Sequence, residues 1–598
     1  MTPSRGGAYA IGVVLAFELA LLPWTAHSFD TTSFFLHADR VFFLHVSPVR
    51  WWAFGSIALV CLIGAQLPVL VAPSLANVVP LRIVLAKIPS WFSDMGTAAV
   101  VRACSSDAAY ANWWALRYLA DPAVLFTTIF HGQMDAIPNL LAVGGIALML
   151  GGRYELSALA LGAGAGTKFF PAAYVPLLLV VSLRNGSLRR SAISLGLFVV
   201  TAALTLLPVV AGRFGTVADF FANNSYGNAG DSVLLTSVWA LVPKGVLRPQ
   251  LEQLIAVLIP VVLAGALLRW RSIDARAIAR TALWTVLSIV LLNPGAHAPF
   301  YLWIAGPLVL YAAVANDGAV SVAGIVLSCL APLIQFCQEG SDEYFLLNFG
   351  KAPVPNLLRC VAPPPRLEWL VLLTAVVIVA LSLRNEAAIS IERIARRMSF
   401  AVSVAFFAAF VGVTGQAIAV RASAFGHNAQ PYWHVVFASN TFTIRPRTRA
   451  VGSSECELVY EAGDFAVFAG NPYAAQYVRA FLGYTLFSPE TMTIRNNAVD
   501  VGRLVPSYLH LDLIPIYRAP IRVTREFEIT DALRPYRFVE RFVEHPCTLI
   551  EGNPVLTYRL DLGAARDAAA RRPLFERLRI FDRQEPARPV SIKGPNHV

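Results

Sequence analysis

The chain has 598 residues, 56% of them hydrophobic and 14% charged, with a formal net charge of +11 and a mean hydropathy of +0.59. A soluble domain carries about 25% charged residues, so these values exclude a string of soluble domains, a disordered chain and a collagen-like one, and they call for a polytopic membrane protein. Much of the positive excess lies in short basic loops between apolar runs, where membrane topology accounts for it, so no nucleic-acid partner is expected.

Apolar runs of membrane-spanning character lie near 8–26, 51–72, 84–103, 110–130, 136–150, 156–183, 190–211, 250–270, 279–293, 300–316, 319–337, 366–384 and 400–421. Read as about thirteen transmembrane helices, they make 1–424 an all-α membrane domain. Three basic stretches, Arg184–Arg190, Arg269–Arg280 and Arg384–Arg397, fall on one side of that count. The positive-inside rule makes that side cytoplasmic, with the N-terminus. Loops 27–50, 212–248, 294–299 and 338–365 then face outward, as does everything after about 422. Arg5 ahead of the first apolar run also fits a cleavable signal peptide; an uncleaved first helix is the simpler reading.

Ionisable residues beside apolar segments carry most of the information, because burying them is costly. The loop His27-Ser-Phe-Asp30 to His37-Ala-Asp39-Arg40 follows the first run. A carboxylate held there can act as a general base, or Asp30 can simply cap a following helix. Lys87 stands at the entry to the third run, where Pro89 suits a first helical turn and Asp94 complements the positive helix end. His131, Gln133 and Asp135 form a polar group that either lines a wet cavity or locks helices together. By span count this group falls towards the cytoplasmic end. Gly162–Pro171 places Lys168 within one apolar run; it needs an anionic ligand or an acidic partner such as Asp94 or Asp135, and Gly166 and Pro171 predict a kink. The loop 212–248 carries Lys244 and Arg248 and can act as a lid. His297 stands in a short outer loop, where it is either solvated or able to meet a phosphate.

After 425 the pattern changes to short β-branched and aromatic runs broken by Gly, Asn and Pro. Residues 425–598 read as a soluble, mainly β, mixed α/β extracytoplasmic domain, whose Arg445, Arg447 and Arg449 form a basic face. Seven cysteines show no metal-ligand spacing. Cys337 with Cys360, and Cys456 with Cys547, lie on the outer side and could form disulfides or remain free.

The order of these features resembles the GT-C superfamily of integral membrane glycosyltransferases, most closely the bacterial mannosyltransferase-like proteins of glycosyltransferase family 87. The series runs Asp30, then Lys87-x-Pro89 with Asp94, Asp121-Pro122, Gly132-Gln133-x-Asp135, Thr167-Lys168-x-x-Pro171 and Pro299-x-Tyr301-x-Trp303. The likeness covers about residues 8–310. It implies a seven-helix module over 1–211, a lid at 212–248 and further helices over 249–424. It also implies an inverting transfer of a sugar such as mannose from a polyprenyl-phosphate donor to an envelope glycan or glycolipid, at the outer face of the bacterial inner membrane.

In that scheme Asp30 is the base, with Asp39 the alternative, and His297, Lys244 and Arg248 meet the donor phosphate. No nucleotide, metal or other cofactor is implied. Where relatives carry Asp-Tyr-Pro-Pro ahead of the second run, this chain reads His45-Val-Ser-Pro48. Two other classes stay open: a transporter or flippase using Lys168 and Asp135, and a non-catalytic envelope scaffold.

Overall fold

The computed structural model describes residues 3–25, 34, 38, 55–72, 75, 79–211, 249–269, 273–293, 297–339, 367–384 and 389–428, together with seven strands between 440 and 560. Five helical stretches are each long and apolar enough to cross a membrane: Gly6–Trp24, Leu188–Val209, Ala275–Leu292, Ala298–Ala315 and Ile394–Gly412. Shorter apolar helices lie between them, including Ser56–Val71, Ala136–Leu150 and Trp369–Ser382.

In chain order the helices that build the site are α1 (Pro3–Leu21), α2 (Ser56–Val71), α3 (Val79–Ala103), α4 (Ala111–Leu119), α5 (Pro122–Val124, continued by a π-helix over Leu125–His131), α6 (Ala136–Leu150), α7 (Tyr154–Thr167), α8 (Val175–Asn185) and α9 (Leu188–Val209). Behind them come α10 (Pro249–Leu267), α11 (Ala275–Leu292), α12 (Tyr301–Ala315), α13 (Gly318–Glu339), α14 (Leu367–Ser382) and α15 (Ile389–Asn428).

The arginine-rich stretches gather at one end of this bundle. Arg184 donates to the Leu268 carbonyl at 2.9 Å and Asn185 to that of Ile273 at 3.2 Å, at the α10–α11 turn. Arg276 donates to the Arg384 carbonyl at 3.1 Å. Arg396 donates to Asn316 at 2.6 Å, where α12 gives way to α13.

Two of the expected spans are corrected by the contacts. The run 156–183 is not one helix. Glu155 lies 3.6 Å from Arg190 at the basic end, and Gly166 packs on Thr205 at the other, so α7 runs alongside α9. Thr167 ends α7, Lys168 is extended (φ −147, ψ 143), and the chain returns through α8 to the basic end at Asn185. The small residues that make the run apolar allow the close packing but do not carry a helix through Lys168 and Pro171.

Nor does the run 51–72 traverse the bundle from end to end. Gly55 N–H donates to the Thr167 carbonyl at 3.1 Å, and the Ser56 hydroxyl to that of Thr205 at 2.7 Å, so α2 starts at the end opposite the arginines. Gln66 donates to the Arg82 carbonyl at 3.2 Å, and by Lys87 the chain is again beside the C-terminal end of α1. Helix α2 and the first turns of α3 therefore make an excursion at that end. One run thus supplies two passes and another none, and the parity between them is inverted.

Glycine governs the α7–α9 contact. A Cβ on Gly166 would meet the Thr205 hydroxyl, and would lie 2.7 Å from Thr205 Cβ and 3.0 Å from the Ala202 carbonyl. A helical Gly→Ala change ordinarily gains up to about 1 kcal/mol. Gly166→Ala should instead destabilise by about 1–3 kcal/mol through overpacking. Gly196→Ala, with nothing within 4 Å of its Cβ, should be neutral or stabilising. Thermal unfolding of the two variants in one detergent checks the contrast.

Beyond α15 the described backbone comprises β1 (Asn440–Thr448), β2 (Glu455–Ala462), β3 (Met492–Arg495), β4 (Ala498–Val501), β5 (Arg522–Glu528), β6 (Tyr536–Val543) and β7 (Leu556–Leu560). Five pair antiparallel in the order β5-β6-β2-β1-β7, and β3 pairs with β4. Arg445 and Arg447 stand two apart on β1, on one face of the sheet. Arg449 lies outside the described residues, as does everything after Leu560, where the sequence of 563–579, rich in Ala, Arg and Leu, reads as a helix. Cys360 and Cys547 also lie outside them, and with them one partner of each possible disulfide.

Candidate functional site

The polar residues singled out by sequence meet where helices break. Asp121 starts the first break. It caps α5 by accepting from Ala123 N–H at 2.9 Å, and Pro122 at the first helical position has no N–H to satisfy. The following π-turn closes on Gly132, whose φ of +80 is open to glycine and strained for other residues. That geometry brings His131 Nε2 and Gln133 Nε2 to 3.3 Å. It also points the Gln133 carbonyl at the Ser90 hydroxyl, 2.8 Å away on α3.

The second break delivers Lys168. Its Nζ lies 2.6 Å from Asp135 Oδ1, which also accepts from Trp303 Nε1 at 2.8 Å. Of the two acids considered as partners, Asp135 is the one that pairs. Asp135 is 1% exposed and its Oδ2 is buried with no hydrogen-bond partner among the described residues. The Lys168 ammonium also stands 5.0 Å from the Phe300 ring centre and 5.3 Å from that of Trp303. Trp303 is stacked between Phe170 at 4.3 Å and Phe300 at 4.1 Å. His297 meets the edge of Phe300 at 5.7 Å, so the expected outer-loop histidine does join this cluster.

Lys87 seals the cluster's flank. Fully buried, its ammonium donates to the carbonyls of Leu22 at 3.2 Å and Ile129 at 2.5 Å, and to the carbonyl of Thr25. Thr25 in turn donates to Ile129 at 2.6 Å. The Lys87 amine therefore sits among carbonyls at two helix C-termini, which accept its hydrogen bonds.

These positions correct two further expectations. Pro89 and Asp94 are not in a first helical turn, since α3 begins at Val79 and both stand in its interior. Asp94 answers no helix end; it accepts from Tyr118 at 2.7 Å and Thr128 at 2.5 Å, and Asn139 donates to Tyr118 at 3.0 Å. Nor does His131–Asp135 lie towards the basic end. Asp135 opens α6, which leads to the Arg153 end, and Lys168 stands at about 21 Å from that end for the 14 residues of α7. The inverted parity between the runs 51–72 and 156–183 accounts for the difference from the span count.

Asp30, Asp39, Lys244 and Arg248 lie outside the described residues. Thr25, at the mouth of the loop that carries Asp30, is the nearest described anchor on its N-terminal side.

Sequence reasoning passed over Arg117 and Glu18 and took Asp121 only as a motif residue. Arg117 pairs with Asp121 at 2.6 Å, both fully buried, and also donates to Ser321 on α13. Glu18, 2% exposed on α1, accepts from Trp91 at 2.9 Å. The signal was available: each is an ionisable residue inside an apolar run, the same criterion that selected Lys168. Among the described residues no group of three His, Cys, Asp or Glu is placed to hold a metal ion.

Neither a protein-family model nor a curated protein sequence matches the chain at a significant level.

Proposed function

We propose that the chain is an integral membrane glycosyltransferase of the GT-C type, moving a sugar from a polyprenyl-phosphate carrier to an envelope glycan or glycolipid. The observation that carries the reading is the gathering of Lys87, His131, Asp135, Lys168, Trp303 and His297 at the end of the bundle opposite the arginines. Lys87, Asp135, Lys168 and Trp303 belong to the motif series, His131 and His297 stand next to its members, all are drawn from distant parts of the sequence, and the segment bearing Asp30 leaves α1 at that same end.

In the reaction, the Asp30 carboxylate takes the acceptor hydroxyl proton and the freed oxygen attacks the anomeric carbon from the face opposite the phosphate. The C1–O bond to phosphate breaks with inversion, and the polyprenyl phosphate leaves with the electron pair. His297, Lys244 and Arg248 stabilise the charge that develops on it. The about thirteen spans, the cytoplasmic N-terminus, the bacterial inner membrane and an outer acceptor-binding domain over 425–598 belong to this proposal.

The test is transfer by the purified, lipid-reconstituted chain from polyprenyl-phosphate mannose, glucose and arabinose to crude envelope glycolipid. Product from one donor supports the reading; absence of both transfer and donor binding overturns it. A carrier of polar substrate is the second reading, and the Lys168–Asp135 pair at a helix break favours it. Substrate uptake into vesicles without sugar transfer would establish that reading instead.

A further inference from the structure

A cavity far from the polar cluster carries an inference independent of the proposed function. Helices α10, α11 and α14 leave a groove of about 910 Å³ between them. Its walls are apolar, with Leu263 on α10, Leu287 and Leu291 on α11, and Trp369, Ala375 and Val376 on α14. The groove residues that could hydrogen-bond are satisfied within the fold. Ser288 donates to the Thr285 carbonyl at 2.7 Å, and Trp284 Nε1 to the Ser382 hydroxyl at 2.9 Å. The walls therefore offer nothing to a polar occupant. The lining runs from Trp369 on α14 to Leu383 just past its end, about 21 Å along the helix axis, which suits an extended hydrocarbon chain.

The two ends of the groove differ. At the Trp284–Leu383 end three guanidinium groups converge. Arg280 stands 5.4 Å from the Trp284 ring and donates to the Ser382 carbonyl at 3.4 Å. Arg276 donates to the Arg384 carbonyl at 3.1 Å, and Arg384 lies 3.8 Å from Asp317. The facing carboxylates are Asp317 and Asp274, and Asp274 also caps α11 by accepting from Ala277 N–H at 2.7 Å. Among the described residues, three cations face two acids at the mouth of an apolar slot.

We propose that this groove binds an anionic diacyl phospholipid, with an acyl chain between α10, α11 and α14 and the headgroup phosphate at Arg276, Arg280 and Arg384. Charge complementarity selects this occupant: a basic pocket between helices, opening onto an apolar slot, matches an acidic headgroup with its chain. The same placement argues against the sugar donor, because the Asp135–Lys168 cluster lies at the opposite end of the bundle. The bound lipid would tie α14 to α11 along a seam that protein contacts leave open.

The experiment is native mass spectrometry of the full-length protein in mild detergent, titrated with phosphatidylglycerol and phosphatidylcholine of identical acyl chains. Wild type should retain phosphatidylglycerol preferentially. Arg276→Gln/Arg280→Gln should lose that preference, roughly 30-fold for two surface cations. Ser288→Phe, which fills the slot and leaves the arginines alone, should lower retention of both lipids. Equal retention of the two by wild type would overturn the proposal. So would phosphatidylglycerol retention unchanged by Ser288→Phe, which would mean that another part of the chain or a second copy fills the slot. Displacement of phosphatidylglycerol by an equimolar polyprenyl phosphate would assign the groove to the donor and overturn it as well.

Discussion

Lys168→Met is expected to destabilise the protein by about 3–5 kcal/mol, because it leaves the Asp135 carboxylate buried without its cation. Asp135 has little recourse: it is 1% exposed, one oxygen keeps only the Trp303 N–H at 2.8 Å, and the other has no partner among the described residues. The complementary change should cost less. Lys168 is 13% exposed, and a long ammonium side chain can move its head towards water or stay over the Phe300 ring. Asp135→Asn also keeps a side-chain oxygen for Trp303. The double variant Lys168→Met/Asp135→Asn removes both charges and should recover most of the loss, since a buried pair replaced as a pair is often neutral. Thermal unfolding of the four proteins in one detergent measures the coupling. Lys168→Met as stable as wild type, or a double variant worse than both singles, would show that the pair does not hold the break together.

Asp30→Asn is expected to lower sugar transfer by about 10²–10⁴-fold, the usual contribution of a general base, with donor binding retained. The pairing of the two measurements matters. A variant that loses transfer and donor binding together has lost the site's structure, whereas loss of transfer alone assigns the proton-accepting role. Asp39→Asn is the internal control, nine residues on in the same loop, and should keep transfer. The reverse pattern would move the base to Asp39. Full transfer in both variants would keep the enzyme and place the base outside this loop, whereas absence of transfer and donor binding in the wild type is what would turn attention to the transporter and scaffold readings.

Much of the membrane character was legible in the sequence. Apolar runs of sufficient length must be helical in lipid, where backbone groups have no water to bond. Each expected run accordingly contains a described helix, five of them long and apolar enough to cross. Polar residues such as Lys87 and Lys168 stood out because an ionisable group in an apolar run demands a partner. Glu18 and Arg117 satisfy the same rule from the interiors of their apolar runs.

Hydropathy alone determined that the chain folds as apolar helices with basic turns gathered together, because both follow from transfer free energies that each residue carries locally. Which runs cross, and which partner each charge meets, only the tertiary structure decided. A run such as 156–183 is equally apolar whether it passes once or turns back at Lys168. The turn exists because Asp135, Trp303 and Phe300 wait at that level to receive the ammonium. The excursion of α2 likewise depends on Thr167 and Thr205 accepting Gly55 and Ser56. These are pairings between residues far apart in the chain, so no window along the sequence contains both partners.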